Sequence, residues 1–394
     1  MITVEEALER LFALCPLLPK ETVALRGAAG RVLIRDVVAG RDQPPFAASA
    51  MDGYAIREAD HVTGANLRVI GEAAAGKRFS GSLTPQSAVR IFTGAPVPDG
   101  AGRVVLQEDV TREGDRITLG GRLEAGRNIR AAGQDFRVGD RIGAPRRLRP
   151  ADLALIAAMN VPEVVVTRRP VVAFVATGDE LVMPGETPGP DQIIASNGFA
   201  LAAMAEAEGA EARVLPIARD DAASIRFALE LAADADLIVT IGGASVGDHD
   251  LIAPVTEAMG MERAFYKIAI RPGKPLMAGR LGSSALLGLP GNPVSAIVCG
   301  HVFMLPMLRA MQGLARAGAP RGRARLIHPV QANGPRAHYM RARLGRDDGD
   351  VTIAPFDRQD SALLSILSEA DALLVRPVND HARDAGAEVD YIAL

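Results

Sequence analysis

Three loops rich in glycine and proline hold the charged residues of this chain that are best placed for chemistry. They read Gly-Gly-Ala-Ser-Val-Gly-Asp-His-Asp (242–250), Arg-Pro-Gly-Lys-Pro (271–275) and Gly-Leu-Pro-Gly-Asn-Pro-Val-Ser (288–295). Backbone amides and cations bind phosphate oxygens, and carboxylates beside them are typical ligands of Mg²⁺. The loops therefore predict a site for a phosphorylated ligand held together with a metal ion.

The first loop supplies the predicted metal ligand. Gly242 and Gly243 let a phosphate approach the backbone, and Ser245 adds a hydroxyl group. Asp248 and Asp250 lie two residues apart, so their side chains share one face of an extended loop. We assign the metal-binding role to Asp250, and we expect Asp248 to cap the helix that follows.

Lys267, Arg271 and Lys274 are the candidate cations. They follow one another along the apolar run 264–270 and the second loop. Period-two alternation predicts that Lys267 and Arg271 lie on the same side of one strand. Placing two cations at the end of an apolar strand costs free energy of solvation unless an anion or a carboxylate lies next to them. An anionic ligand is the preferred interpretation, and a structural ion pair of Lys267 remains open.

The third loop turns from a strand into a helix. Pro293 suits a first helical position, where the missing N–H is tolerated. The helix would then offer free N–H donors and its positive dipole end to an anion. A tight turn without a ligand is the alternative interpretation.

Further acids are expected at the same edge. Glu180 belongs to Thr-Gly-Asp-Glu (177–180), which follows the predicted strand Val171–Ala176. Asp220 and Asp221 follow another predicted strand, 212–217. We expect Asp221 to cap a helix and Asp220 to keep a free carboxylate.

The apolar periodicity predicts the elements that position these residues. Residues 171–318 alternate strands and helices, which predicts a doubly wound, mostly parallel α/β sheet with helices on both faces. Short strands punctuated by glycine and proline predict an inserted β module at 41–143 and a C-terminal β module at 319–394. Residues 1–40 and 144–170 are expected to form a discontinuous N-terminal domain, helical and extended. Its expected role in dimerisation does not come from the periodicity but from a two-fold arrangement in which these domains pair. The α/β multidomain fold thus has four units.

Composition and charge argue against several classes of function. With 394 residues, 48% of them hydrophobic, the chain can build a large core and more than one domain. A formal net charge of −3 argues against a nucleic-acid binder. Cys15 and Cys299 lie outside any metal-ligand spacing and are expected to be reduced core residues of a cytoplasmic protein. The most apolar helix, roughly 294–308, is expected to be too short to span a membrane.

The motifs taken together resemble those of the molybdopterin molybdenumtransferase family, which includes bacterial MoeA and the E domain of gephyrin. The resemblance covers essentially the whole chain. Besides the three loops, it rests on Ser-Ala-Met-Asp-Gly-Tyr-Ala (49–55), Phe-Thr-Gly-Ala-Pro-Val-Pro (92–98) and Ala-Thr-Gly-Asp-Glu-Leu (176–181). It implies a central α/β domain of the molybdopterin-binding type.

The resemblance implies an enzyme that binds adenylylated molybdopterin with Mg²⁺, inserts molybdate and releases AMP. It implies a homodimer whose active site needs both subunits, with other molybdenum cofactor biosynthesis proteins as possible further partners. The catalytic set that we carry over or infer is Asp52, Glu180, Asp220, Asp250, Lys267 and Lys274, with Asp220 and Asp250 as Mg²⁺ ligands. The binding set is Thr93, Gly242, Gly243, Ser245, Arg271, Pro290, Gly291, Asn292, Pro293, Ser295, Arg336 and Ser361. Within it, Ser295, Arg336 and Ser361 resemble an oxyanion pocket for molybdate.

Two positions depart from the family pattern, and two other functions stay open. Arg271 stands where many relatives have lysine, and Gln134 stands where an acidic residue is usual.

A molybdopterin adenylyltransferase shares the α/β topology but lacks the flanking β modules. A non-catalytic scaffold of the gephyrin type is the other alternative, and the intact set of candidate acids favours catalysis over it.

Overall fold

A six-stranded mixed sheet forms the centre of the protein. The computed structural model describes residues 1–121, 123–243 and 251–394. The strand order across this sheet is Glu211–Val214, Val171–Ala176, Leu237–Ile241, Ser284–Leu289, Met277–Leu281 and Glu262–Tyr266. The first four strands are parallel, and Met277–Leu281 runs antiparallel to both of its neighbours.

Helices cover both faces of this sheet, as predicted. Val172 and Phe174 point into one hydrophobic core, while Ala173 and Val175 point into another on the opposite face. The covering helices are Asn197–Ala207, Ala222–Leu231, Ile252–Ala258 and Pro293–Cys299. The predicted doubly wound α/β architecture is therefore confirmed, with an additional antiparallel strand inside it.

The most apolar helix is longer than the sequence suggested. Helix Pro293–Cys299 continues through a π-helical segment, Gly300–Met304, into helix Leu305–Met311. Over 19 residues it is long and apolar enough to cross a membrane, but 83% of its most apolar window is buried inside the protein. The expectation that it is too short was wrong, because the π segment lets the helix run on into Pro306. Burial, and not length, marks it as a core helix.

Segments from both sides of the inserted module build one N-terminal sheet. Its strand order is Lys20–Ala24, Glu163–Thr167, Val32–Leu33 and Arg146–Arg147, next to helix Pro150–Ala158. Strand Val37–Val38 pairs with Arg141–Ile142 at the entry to the module. The first helix, Val4–Leu14, packs instead into the core of the central sheet, although the sequence grouped it with residues 1–40.

The inserted module is a β structure with two small cores of its own. Its sheet has the order Arg103–Leu106, Gly53–Ile56, Ser87–Ile91, Asn66–Ala73, Arg116–Leu119 and Val110–Glu113. Ala48–Ser49 pairs with Ile129–Arg130 beside it. Apolar side chains alternate between two clusters, with Ile56 on one face and Ala55 on the other.

The C-terminal module is a closed sheet. Its order is Ile270–Arg271, Ala337–Asp347, Asp350–Pro355, Gly322–Leu326, Glu388–Ala393 and Ala372–Arg376, and the last strand also pairs with Ala337–Asp347. A short helix, Leu364–Ser368, contacts helix Pro293–Cys299, and its Leu367 lies in the central hydrophobic core. Strand Ile270–Arg271 comes from the second glycine- and proline-rich stretch, so this loop physically joins the central sheet to the C-terminal module.

Candidate active site

The strands that carry the three loops end at one edge of the central sheet. In the register of the sheet, Ala176 lies beside Ile241, and Ile241 lies beside Leu289. The edge strand Glu262–Tyr266 ends at the same edge. Its last residue, Tyr266, pairs with Met277, and Met277 pairs with Gly288 near the end of the neighbouring strand. The strand ends that lead into the loops therefore lie at one carboxyl edge, where ligands of such sheets bind.

Gly242 and Gly243 make the turn that leaves this edge. The N–H of Gly242 donates to the carbonyl oxygen of Leu289 at 3.1 Å, so the loop begins bonded to the neighbouring strand. Gly242 has a φ of 93°, and a Cβ there would lie 2.8 Å from the carbonyl oxygen of Thr177. A glycine is required at this position by conformation and by space.

Asp220 and Asp179 face each other across the ends of two neighbouring segments. The N–H of Asp179 donates to Oδ2 of Asp220 at 3.4 Å, and the N–H of Asp220 donates to Oδ1 of Asp179 at 3.3 Å. Both residues are exposed. These long contacts leave most of the carboxylate lone pairs free for a ligand.

Asp221 has the capping role that the sequence predicts. Its Oδ1 accepts hydrogen bonds from the backbone N–H groups of Ala223 and Ser224 at 3.0 and 2.8 Å. Two consecutive aspartates thus differ in function: one fixes a helix, and the other is exposed at the edge.

Glu180 also lies at this edge. It is exposed, and its carboxylate folds back so closely over Gly178 that a Cβ on Gly178 would collide with it. The remaining predicted groups, Ser245 and Asp250, lie outside the described residues, as does Asp248.

The cations do not share one strand, which corrects the sequence-based prediction. The strand ends at Tyr266, and Lys267 has a φ of 74°, which breaks the period-two alternation. Arg271 instead pairs with His338 in the C-terminal sheet. The chain leaves the central sheet at Lys267 to reach that module, and Lys274 lies on the way back.

These cations have no carboxylate partners in the part of the chain that the structure describes. None of the ion pairs there involves Lys267, Arg271, Lys274 or Arg336. The ammonium of Lys267 lies 5.4 Å from the ring centroid of Tyr266, a cation–π distance. Within the described residues, the structural ion pair left open for Lys267 is therefore not formed.

Lys274 is held outward by its loop. Gly273, with a φ of 103°, packs so closely on Cys299 that a Cβ would collide with the Sγ atom. The N–H of Ile268 donates to the carbonyl oxygen of Lys274 at 3.2 Å. The backbone of the loop is therefore fixed against the long helix while Lys274 is exposed.

The third loop joins the central domain to the C-terminal module. Asn292 Nδ2 donates to the hydroxyl oxygen of Ser361 at 3.1 Å, and the N–H of Val294 donates to the carbonyl oxygen of Ser361 at 3.1 Å. Ser295 is buried in the next position. Because the N–H of Val294 is already bonded, the helix offers fewer free donors than the sequence suggested. Ser361, Asn292 and Ser295 are brought together.

Pro290 is buried at the strand end, and the carbonyl oxygen of Gly291 accepts from Asn197 Nδ2 at 2.7 Å.

Asp52 and Thr93 form a second polar centre in the inserted module. Asp52 Oδ1 accepts from both the backbone N–H and the hydroxyl group of Thr93, each at 2.7 Å. These bonds, the backbone one first, hold the pKa of Asp52 below its usual range. Next to them Arg90 lies over the rings of Tyr54 and Phe92, at 5.1 and 4.8 Å from their centroids.

Comparison with known proteins identifies the family. Three family profiles match in order: "MoeA N-terminal region (domain I and II)" at residues 2–160, "Probable molybdopterin binding domain" at 173–310, and "MoeA C-terminal region (domain IV)" at 323–394. A molybdopterin molybdenumtransferase from Nostoc sp. is 33% identical, over 100% of this chain and 94% of that protein. The chain belongs to the molybdopterin molybdenumtransferase family.

Other relatives of this transferase agree in sequence and in fold. A molybdopterin molybdenumtransferase from Haemophilus influenzae is 37% identical over 79% of this chain and 78% of its own length. The crystal structure of a molybdopterin biosynthesis MoeA protein from Pyrococcus horikoshii covers 100% of both chains with 28% identity and a TM-score of 0.84. The transferase is therefore an enzyme of molybdenum cofactor biosynthesis that acts on a molybdopterin-related substrate.

The donor chemistry at the carboxyl edge of the transferase fits a hard divalent cation. Asp220 and Asp179 offer exposed carboxylate oxygens, and the Oγ1 atom of Thr177 is buried without a hydrogen-bond partner in the described structure. Oxygen donors of this kind suit Mg²⁺. The described residues alone hold no group of three or more acids, histidines or cysteines at metal-binding spacing. The described residues alone therefore do not make up a complete metal site.

Two residues near these centres were not singled out from the sequence of the transferase. Arg90 donates to the carbonyl oxygen of Gly53 at 3.1 Å, next to Asp52. His338 lies beside Arg271 only because strand Ile270–Arg271 joins the C-terminal sheet. No local motif marks that pairing, because the two residues are far apart in the chain.

Proposed function

We propose that this enzyme inserts molybdate into adenylylated molybdopterin and releases AMP in the cytoplasm, in a reaction that requires Mg²⁺. The observations that support the proposal are exposed carboxylates at the carboxyl edge of the central sheet and cations that no carboxylate neutralises among the described residues. Asp220 supplies the carboxylate, while Arg271, Lys274 and Arg336 supply positive charge without carboxylate partners among the described residues. A pyrophosphate and an oxyanion together require both kinds of group.

The residues for Mg²⁺ are proposed to be Asp220 and Asp250. When bound, the ion would neutralise pyrophosphate oxygens and polarise the bond to be cleaved. The long contacts of Asp220 with Asp179 support this role, because such weak contacts are easily exchanged for a ligand. Glu180, exposed at the same edge, is proposed as a further acid of the reaction.

The leaving phosphate is proposed to lie against Lys267 and Arg271. Both are cations that no described carboxylate neutralises, so they are free to stabilise charge that develops on AMP. Arginine offers a planar fork of donors that binds two phosphate oxygens at once. The Gly242–Gly243 turn lets the same group approach the backbone, and Ser245 is proposed to contact it.

The pocket for molybdate is proposed to comprise Lys274, Ser295, Arg336 and Ser361. The hydrogen bonds of Asn292 and Val294 to Ser361 support it, because they attach the C-terminal module to the entry of the central helix. Lys274 is exposed on a loop whose backbone is fixed. A tetrahedral oxyanion needs donors from several directions, and these residues come from three separate segments.

The working unit is proposed to be a homodimer in which Asp52 and Thr93 act on the site of the other subunit. In the described structure, no hydrogen bond or ion pair joins residues 41–143 to residues 171–318. A two-fold dimer would bring each inserted module to the central domain of its partner. Other proteins of molybdenum cofactor biosynthesis are proposed as further partners.

The test is the release of AMP from adenylylated molybdopterin, followed with and without molybdate and with and without Mg²⁺. We expect release that depends on both, and stoichiometric transfer of molybdenum to the pterin. Formation of adenylylated molybdopterin from ATP would instead assign the protein as an adenylyltransferase. Binding of the pterin without turnover under any of these conditions would assign a scaffold.

A further inference from the structure

His338 lies in a row of basic side chains that reaches from the proposed molybdate pocket into the C-terminal module. Arg271 and His338 are register partners on adjacent parallel strands, and His338 and Arg376 are register partners on its other side. Register partners project to the same face of a sheet. The imidazole is therefore placed between two guanidinium groups, and Arg336 precedes it by two residues.

The imidazole of His338 is buried. His338 is 8% exposed, and none of the hydrogen bonds or ion pairs within the described residues reaches its ring. Burial first, and then the charges of the surrounding arginines, lower the pKa of His338 to about 4. The ring is therefore neutral near neutral pH, with one N–H donor and one nitrogen that can accept a proton.

On the side of the C-terminal module, the arginines near His338 already have hydrogen-bond partners within the protein. Arg376 Nε donates to Asp380 Oδ2 at 2.7 Å, and Arg383 binds the other oxygen of this carboxylate at 2.8 Å. Arg341, also buried, donates to two backbone carbonyl oxygens of the segment 358–363 at 3.0 and 3.2 Å. On this side, therefore, the charge of Arg376 is paired with a carboxylate and Arg341 is bonded to the backbone.

On the side of the pocket, no carboxylate among the described residues compensates the positive charge. Arg271 and Arg336 both act on His338, and neither has a carboxylate partner in the described structure. A bound dianion would neutralise these charges and offer oxygens to ring N–H groups. Both effects favour the protonated imidazole. In the absence of the dianion, the positive charges of Arg271 and Arg336 disfavour that form.

We propose that His338 takes up one proton from solvent when molybdate binds to Arg336 in the proposed pocket, close to Arg271, so that the imidazolium becomes part of the loaded oxyanion pocket. The free ring nitrogen forms the new N–H bond, and no other reactant is needed. The inference rests on the proposed function, because it assumes that molybdate occupies this pocket. His338 is thus a positioning residue that links the affinity for the oxyanion to pH.

The direction in which molybdate affinity changes with pH follows from the uptake of a proton on binding. Because the complex holds more protons than the free protein, affinity for molybdate rises as pH falls, by up to about tenfold per pH unit. The dependence extends from the pKa of about 4 in the free protein up to the higher pKa of the complex.

The experiment is titration of the whole protein with molybdate, by calorimetry in two buffers that differ in ionisation enthalpy, between about pH 6.5 and about pH 8. The difference in heat between the buffers gives the number of protons taken up. His338→Asn keeps a polar side chain but cannot take up the proton. His301→Asn is the matched control, because burial and Arg309 also lower the pKa of His301 to about 4, and no residue of the proposed pocket is among the charges that act on it.

We expect proton uptake by the unchanged protein and by His301→Asn, and none by His338→Asn, whose molybdate affinity becomes independent of pH. Binding without proton uptake, or uptake that survives in His338→Asn, would overturn this inference and leave the proposed function standing. Failure of the unchanged protein to bind molybdate at all would overturn the pocket itself, and the inference with it.

Should His338→Asn fail to fold, the unchanged protein still decides the matter by proton NMR. The chain has six histidines, so the resonance of His338 can be assigned by exclusion from variants of the other five. Its titration should shift to higher pH on addition of molybdate. A titration that does not move in the complex contradicts the proposal.

Discussion

Both hydrogen bonds that Thr93 donates to Asp52 end on the same carboxylate oxygen. The backbone N–H and the hydroxyl group each lie 2.7 Å from Oδ1. Within the described residues, Oδ2 receives none. The two bonds lower the pKa of Asp52, so the carboxylate is ionised at neutral pH and presents one oxygen in a fixed direction. Such an arrangement suits contact with a ligand that is brought from outside the module.

Subunit mixing tests whether that ligand belongs to the other subunit. Asp52→Ala and Asp220→Ala should each be inactive alone, since each removes one half of the proposed site. Mixed under conditions of subunit exchange, they should recover about a quarter of the unmodified activity, because random exchange makes half of the dimers hybrid and each hybrid has one intact site. AMP release and native mass spectrometry measure the two quantities.

The control for this experiment is a mixture of Asp52→Ala with Thr93→Ala. Both changes lie in the inserted module, so every hybrid site carries one of them and mixing should not raise the activity above that of the two variants measured separately. If confirmed hybrids of Asp52→Ala and Asp220→Ala stay inactive, Asp52 acts within its own chain.

Asp220 and Asp221 should respond in opposite ways to substitution. Asp220→Asn keeps the shape of an exposed side chain, so the thermal midpoint should stay unchanged. Turnover should fall by at least about 100-fold, because the amide is a poor ligand for Mg²⁺. Asp221→Ala removes a helix cap and should cost about 1 kcal/mol of the free energy of unfolding while Mg²⁺-dependent turnover persists. The two residues therefore serve as controls for each other, and normal turnover by Asp220→Asn would remove it from the metal site.

Local patterns were sufficient to predict the central sheet. Strand Leu237–Ile241 is a run of buried β-branched residues and leucine, and a glycine turn follows it directly, so its type and its ligand-binding end could be read from the sequence. The cap of Asp221 was equally local. Each of these features depends on residues within one turn or one strand of each other.

The positions of the cations could not be predicted in this way. A run of apolar residues at 264–270 reads as one strand, but Lys267 adopts a left-handed conformation and Ile270–Arg271 pairs with the C-terminal sheet. That pairing is decided by contacts with Ala337 and His338, which the sequence leaves unconnected to this loop. The same non-local contact places His338 beside Arg271.

Lys274→Ala should weaken the use of molybdate more than the binding of adenylylated molybdopterin. Lys274 is exposed on a fixed loop, so its loss removes charge without disturbing the core. The apparent affinity for molybdate should fall by about 10- to 100-fold, as expected for a lost charge-assisted hydrogen bond. Lys20→Ala, also at an exposed position, is the control and should change neither affinity. Equal losses for both ligands in Lys274→Ala would assign Lys274 to the pyrophosphate.

The lowered pKa values of two histidines should make the protein less stable in mild acid. His301 and His338 have pKa values lowered from 6.5 to about 4 in the folded chain, first because of burial. Below pH 6.5 the unfolded chain binds these protons and the folded chain does not, so the free energy of unfolding falls as pH falls from 6.5 towards 4. Each histidine contributes a slope of up to about 1.4 kcal/mol per pH unit in that interval. Above it, neither contributes.

Denaturant unfolding at a series of pH values measures this slope. Asparagine at either position removes one titrating group, so each single variant should flatten the dependence, and the double variant should flatten it twice as much. His381→Asn is the control, since its side chain is mostly exposed and its loss should leave the slope unchanged. A slope that persists in the double variant would mean that other groups, such as the carboxylates with lowered pKa at Asp152 and Asp380, dominate the loss of stability in acid.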